Sequence, residues 1–302
     1  MLRGLSHDDR PDFESRLNWV CQNIHLGKDK LYQALEDYPS IQMGVEMAFL
    51  SLEAQNPFHL FSHSFTSGAA SIPINGLIWM GDESYMLKQI EEKIAAGFSC
   101  IKMKVGAIDF DRECELLSTI RSQFSKDEMV LRVDANGAFD TNPLFYLEKL
   151  AAYDLHSIEQ PLQAGKWSEM RKLVQHSPVP IALDEELIGV TQTADKIELL
   201  DTIQPDYIIL KPSFIGGFTG ATEWATLAQQ RNIDSWVTSA LESNIGLNAI
   251  AQWTYSQSFS GHQGLGTGGL FSNNFDSPLE IKNGYLTMNN SKAWEHLTSI
   301  NF

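Results

Sequence analysis

Apolar positions near the start of the chain recur at helical spacing. Phe13, Leu17, Val20 and Ile24 lie three or four residues apart, after an N-cap and early proline in Asp8-Asp9-Arg10-Pro11. That predicts an opening helix, and a second apolar helix is expected from about Ile41 to Leu52. Pro57 to Ser71 is rich in Ser, His and Gly and reads as loop. From Ile72 the period changes, and short apolar runs alternate with helical segments at a spacing of about 25 residues. The strand candidates are Gly76–Met80, Cys100–Val105, Val130–Asp134, Ser157–Glu159, Ile181–Asp184, Tyr207–Lys211, Asp234–Ser239 and Gln263–Leu265. Helical patterns fill the seven intervals, and no strong period follows Gly284. Eight strands alternating with seven helices predict an α/β fold, a modified TIM barrel of (β/α)7β form; a doubly wound sheet is the alternative.

Charge changes this picture at the strand ends. Barrel strands are buried on both faces and should be purely apolar. Here Ile101-Lys102-Met103-Lys104-Val105 puts two lysines on one face, and later strands end in Asp134, Glu159, Asp184 and Lys211. Lys104, Asp134, Glu159, Asp184 and Lys211 follow one another at 30, 25, 25 and 27 residues, one βα unit each. Each charge therefore falls at the carboxyl end of a successive strand, the catalytic face of a barrel. A lone charge there is ordinary, but five in succession are costly unless paired or ligated.

Asp134, Glu159 and Asp184 offer hard oxygen ligands, which suit Mg²⁺ or Mn²⁺ better than Zn²⁺. Lys102 and Lys104 flank that position, and Lys211 faces them across the mouth. An ammonium close to a divalent cation and to another ammonium is expected to have a lowered pKa, which makes it a usable general base. The whole chain carries 22 Lys+Arg against 38 Asp+Glu, a net charge of −16 over 302 residues. Its surface therefore excludes nucleic acid and anionic membrane as partners. The pocket is opposite in sign once a divalent cation and three ammonium groups offset three carboxylates. A small carboxylate, a dianion in particular, is the expected substrate, with the metal stabilising the enediolate formed on proton loss. Three cysteines without a C-x-x-C pair, no secretory h-region and no apolar run near the ~20 residues of a membrane helix suggest a cytoplasmic protein.

Lys102-x-Lys104, Arg132-Val133-Asp134-Ala135-Asn136, Ile158-Glu159-Gln160-Pro161, Asp184-Glu185 and Leu210-Lys211-Pro212 occur in order at the spacing of one family. The chain resembles the enolase superfamily, in its muconate-lactonizing subgroup, whose Lys or His base beside Mg²⁺ is known chemistry. Gly4-Leu5-Ser6-His7-Asp8-Asp9, Thr238-Ser239-Ala240-Leu241-Glu242-Ser243 and Gly264-Leu265-Gly266-Thr267-Gly268-Gly269-Leu270 resemble its o-succinylbenzoate synthase branch.

The resemblance implies dehydration of 2-succinyl-6-hydroxy-2,4-cyclohexadiene-1-carboxylate to o-succinylbenzoate, a step of menaquinone biosynthesis. It implies that Lys104 takes the α-proton and then protonates the departing hydroxyl. Lys211 would hold its charge over the ring, and Lys102 would sit against the substrate carboxylate. The family also carries an N-terminal α+β capping domain. The expected organisation is a partial, helical cap over 1–71 with its initial strands missing, the barrel over 72–283, and a tail over 284–302 that packs back on the cap. One alternative is an N-acylamino acid racemase or dipeptide epimerase with Lys104 and Lys211 as opposed bases. Against a free-amine substrate, 265–269 lacks an acid. Muconate cycloisomerisation, and a binding homologue impaired by its short cap, are further alternatives.

Other positions have two readings each. Asn136 and Glu185 are candidates for orienting the lysines or ligands. Gly216 and Gly217 precede a helix and either punctuate the chain or present N–H groups to a substrate carboxylate. Ser239 and Ser243 either donate to the succinyl carboxylate or cap the next helix. Gly264-x-Gly266-x-x-Gly269 matches a dinucleotide fingerprint but lacks a following βα unit, so it reads as a tight loop. Oligomeric state is not legible.

Overall fold

The computed structural model describes residues 1–294, so the last part of the expected tail, 295–302, lies outside the described residues. Three helices come first: α1 (Phe13–Gln22), α2 (Lys28–Ala34) and α3 (Pro39–Glu53). Pro39 stands at the start of α3, where its missing N–H costs nothing. Val20, Leu31, Leu35, Tyr38, Ile41 and Val45 form a small core between the three. The sequence pattern predicts α1 and α3 but not α2, whose 7 residues bury Leu31 alone and are too short to display a period.

A short strand, β1 (Ser71–Pro73), precedes the barrel. Seven parallel strands then pair in chain order: β2 (Gly76–Ile78), β3 (Cys100–Lys104), β4 (Val130–Asp134), β5 (Ser157–Glu159), β6 (Ile181–Leu183), β7 (Tyr207–Leu210) and β8 (Asp234–Val237). Helices α4 (Glu83–Ala95), α5 (Phe110–Arg121), α6 (Pro143–Leu150), α7 (Trp167–His176), α8 (Thr193–Ile203) and α9 (Gly217–Gln229) connect them, and α10 (Asn244–Ser256) follows β8. The eighth candidate, Gln263–Leu265, is not a full strand. Gln263 bridges Ile74 on one side and Gly264 bridges Thr238 on the other, both in parallel, and these two bridges close the ring. A Cβ at Gly264 would lie 2.4 Å from Thr238 Oγ1, so the closure needs glycine there. The fold is thus a (β/α)7β barrel.

The chain after the barrel has more structure than its pattern suggests. β9 (Leu279–Lys282) and β10 (Tyr285–Met288) form a hairpin, and β10 pairs with β1. Asn283 and Gly284 turn it with φ of 51° and 74°, the sign a type I′ turn demands. Leu286 and Met288 point into the core. Ile72 pairs with Leu286 in this small sheet, not in the barrel.

Polar contacts tie the helical region to the barrel. Tyr32 Oη donates to Gly216 O at 2.6 Å, and Asn248 and Gln252 side chains both donate to Phe58 O, at 2.9 and 2.7 Å.

Candidate active site

Strand register assembles the charged residues. Lys104 pairs with Asp134, and Asp134 pairs with Glu159, so three predicted residues stand abreast on β3, β4 and β5. Asp184 follows β6 directly and Lys211 follows β7 directly. Lys102 Nζ lies 2.5 Å from Glu159 Oε2 and 3.0 Å from Asp134 Oδ2. Lys104 Nζ donates to Asp134 Oδ2 at 3.0 Å and to Asn136 Oδ1 at 2.5 Å. Asn136 Nδ2 in turn donates to Glu185 Oε1 at 2.8 Å. Lys211 Nζ donates to Asp184 Oδ2, and lies 5.8 Å from the Phe214 ring centroid. Lys102, Lys104, Asp134, Asn136, Glu185, Lys211 and Ser239 line a cavity of about 410 Å³ at the barrel mouth. Glu159 and Asp184 lie buried beneath it.

Burial sets strong electrostatics here. Burial alone would raise the Asp134 carboxyl, but Lys102, Lys104 and Lys211 outweigh it and hold Asp134 well below the ordinary range. Glu159 is pushed well up, by burial first and then by the Asp134 charge. Glu185 is raised by burial and by Asp184. Burial lowers Lys102 and Lys211, yet nearby carboxylates more than reverse this and push both up. The lowered ammonium expected from the sequence belongs to a lysine beside a bound divalent cation, whereas the shifts here come from the carboxylates that face Lys102 and Lys211 directly.

Among the described residues, no three His, Cys, Asp or Glu side chains already form a metal cage, since Lys102 lies between Asp134 and Glu159. The residues nevertheless suit a hard cation. Glu159 Oε1 and Glu185 Oε2 are buried oxygens without a hydrogen-bond partner, an arrangement that is costly unless something fills it.

Several predicted residues are placed elsewhere. The N-terminus of α9 already holds a carboxylate: Glu46 of α3 accepts from Phe218 N at 2.5 Å and Thr219 N at 3.0 Å. A Cβ at Gly217 would lie 2.2 Å from Glu46 Oε2 and one at Gly216 3.2 Å from Tyr32 Oη, so Gly217 makes room for the Glu46 contact and neither glycine lines the mouth cavity. Burial raises the Glu46 carboxyl against those N–H donors. Ser243 stands at the N-cap of α10 without a side-chain cap bond, and lines a separate apolar groove. Ser239 stays at the mouth, bonded to Thr267 Oγ1 at 2.5 Å. Unforeseen neighbours are Asn75 and Thr238, whose Oδ1 and Oγ1 are buried, unpartnered and on the cavity wall. Thr238 opens the segment whose resemblance drew attention to Ser239, but no signal in the sequence singles out Asn75.

The Enolase C-terminal domain-like family matches residues 85–292. The chain belongs to this family. An o-succinylbenzoate synthase from Desulfotalea psychrophila is 50% identical over 250 residues, 82% of this chain and 68% of that protein. A second o-succinylbenzoate synthase, from Bacillus subtilis, is 29% identical over 70% of this chain and 56% of its own length. The crystal structure of MenC from Desulfotalea psychrophila superposes with a TM-score of 0.83 at 40% identity, covering 95% of this chain and 89% of that one. Members of the enolase superfamily are generally dependent on a divalent metal and act on small carboxylates. No described helix is long and apolar enough to cross a membrane.

Proposed function

We propose that this chain is an o-succinylbenzoate synthase, a carbon–oxygen lyase that dehydrates 2-succinyl-6-hydroxy-2,4-cyclohexadiene-1-carboxylate. The 50% identity to a synthase of that name carries the reading. The lysines that open onto the mouth cavity support it.

Asp134, Glu159 and Asp184 would hold the cation, Mg²⁺ or Mn²⁺. The oxygen-only donor set and the unpartnered Glu159 Oε1 support this assignment. Once bound, the cation supplies positive charge to the substrate carboxylate as negative charge develops there. Lys104, in its neutral form, takes the α-proton at Nζ, and Asn136 holds that nitrogen in place. The same ammonium then gives its proton to the departing hydroxyl, so the C–H and C–O bonds break and water leaves. Lys211 faces the ring with its charge retained, as it already does beside Phe214. Lys102 adds fixed positive charge below the substrate carboxylate. Free thiols at Cys21, Cys100 and Cys114 suit work in the cytoplasm.

The deciding assay offers purified protein with Mg²⁺ the cyclohexadiene substrate, and in parallel N-succinyl amino acids in D₂O. Rapid aromatic product with little deuterium exchange is expected. Fast exchange with weak dehydration would instead establish the racemase reading, in which Lys104 and Lys211 act on opposite faces.

A further inference from the structure

Gln160 follows Glu159 at the end of β5 and is 1% exposed. Its backbone has φ of 40°, in the left-handed region that a long side chain rarely adopts. Its amide uses all of its hydrogen-bonding capacity. Nε2 donates to Leu162 O and to Glu186 Oε2, both at 2.9 Å. Oε1 accepts from Asp184 N at 3.1 Å and from Glu186 N at 3.3 Å. Its own carbonyl accepts from Gly137 N at 2.7 Å. Glu186, also buried, accepts from Gly165 N at 2.7 Å through its other oxygen.

The Gln160 side chain thus joins the segments after β5 and β6, and its backbone carbonyl adds the segment after β4. These segments begin at or directly after Asp134, Glu159 and Asp184. The Gln160 amide grips the backbone N–H of Asp184 itself, while its own residue is covalently next to Glu159. A strained backbone held by this many bonds indicates an over-determined position. We propose that Gln160, locked by Glu186, is a positioning residue of the metal site: it sets the separation and aim of Glu159 and Asp184. The inference rests on the metal assignment above, and goes beyond it by naming what holds two ligand-bearing loops in register.

The test is a double-mutant cycle read by Mn²⁺ binding to the metal-stripped protein, followed by electron paramagnetic resonance. In Gln160→Glu the donor toward Glu186 and Leu162 O is lost, and in Glu186→Gln an amide N–H must face either the Gln160 donor or Gly165 N. Each single variant is expected to weaken Mn²⁺ binding by about tenfold or more. The double variant Q160E/E186Q restores a donor facing an acceptor between the two side chains, though not the bond to Leu162 O, and should bind Mn²⁺ at least about threefold more tightly than Gln160→Glu. Melting temperature, measured on the same metal-free samples, should not follow this pattern. Parental Mn²⁺ affinity in the single variants overturns the proposal, as does a folded double variant that binds no better than they do. If a single variant does not fold, the double variant decides alone. Glu159→Gln separates the two claims: if it binds Mn²⁺ as the parent does, the metal assignment itself fails.

Discussion

Lys102 and Arg132 are register partners on adjacent strands, and both are buried cations in the barrel lumen. Their surroundings differ completely. Lys102 lies against Glu159 and Asp134, and those carboxylates push its pKa up against burial. Arg132 has no ion pair among the described residues. Its guanidinium stacks over Trp236 at 4.0 Å and donates to His262 O at 2.8 Å, and burial lowers its pKa. Toward the mouth, charges are arranged against other charges that a ligand can displace. Toward the base, a charge is absorbed by a ring and a carbonyl that no ligand reaches. One layer is built for chemistry and the next for packing.

That contrast breaks if the mouth proves dispensable for turnover. Lys104→Ala should lower kcat by about 10³-fold or more, within the range for loss of a general acid–base group. Its melting temperature should change little, because the lysine borders the open cavity. A steady-state assay beside a thermal melt checks both. Asp134→Ala should be costly in the fold as well. It leaves Lys102 and Lys104 short of a counter-charge, which costs about 3–5 kcal/mol for a buried pair. Urea unfolding of the metal-free protein measures it.

Arg132→Met sharpens the comparison from the other side. It removes a desolvated cation–π contact worth about 2 kcal/mol, and kcat should stay within about threefold of the parent. A loss of turnover as large as that of Lys104→Ala would show that the base layer takes part in chemistry. The smallest effect is a pH dependence. His156, beside Tyr207 and Trp236, is pushed down to about 4 by burial and by Arg132. The unfolded chain binds that proton from about pH 6.5 downward. Stability should therefore fall as pH drops from about 6.5 to 4, then level off. The ring is partly exposed, so its share is about 1 kcal/mol. His156→Gln should flatten that segment of the stability curve.

Much of the barrel was legible because its period is long and regular. Charges at the ends of successive strands stood out against apolar runs, and register then placed Lys104, Asp134 and Glu159 side by side. The hairpin of β9 and β10 was less visible, since its 4-residue strands carry only two buried positions in Leu286 and Met288. The closing bridges at Gln263 and Gly264 depend on Ile74 and Thr238 and leave no run of their own. Gly216 and Gly217 had two readings, punctuation or N–H donors to a substrate, because nothing local reveals a carboxylate from Glu46, about 170 residues earlier, at the N–H groups of Phe218 and Thr219.

Sequence alone determined the strand–helix alternation and the charged strand ends, because these follow from side-chain period and residue type within one βα unit. Tertiary structure decided which oxygens lack partners, that Lys102 lies between two carboxylates, that Glu46 fills the α9 terminus, and that Gln160 gathers three loops. Those outcomes depend on distances between segments far apart in the chain, where desolvation and hydrogen-bond geometry, rather than local pattern, set the energy.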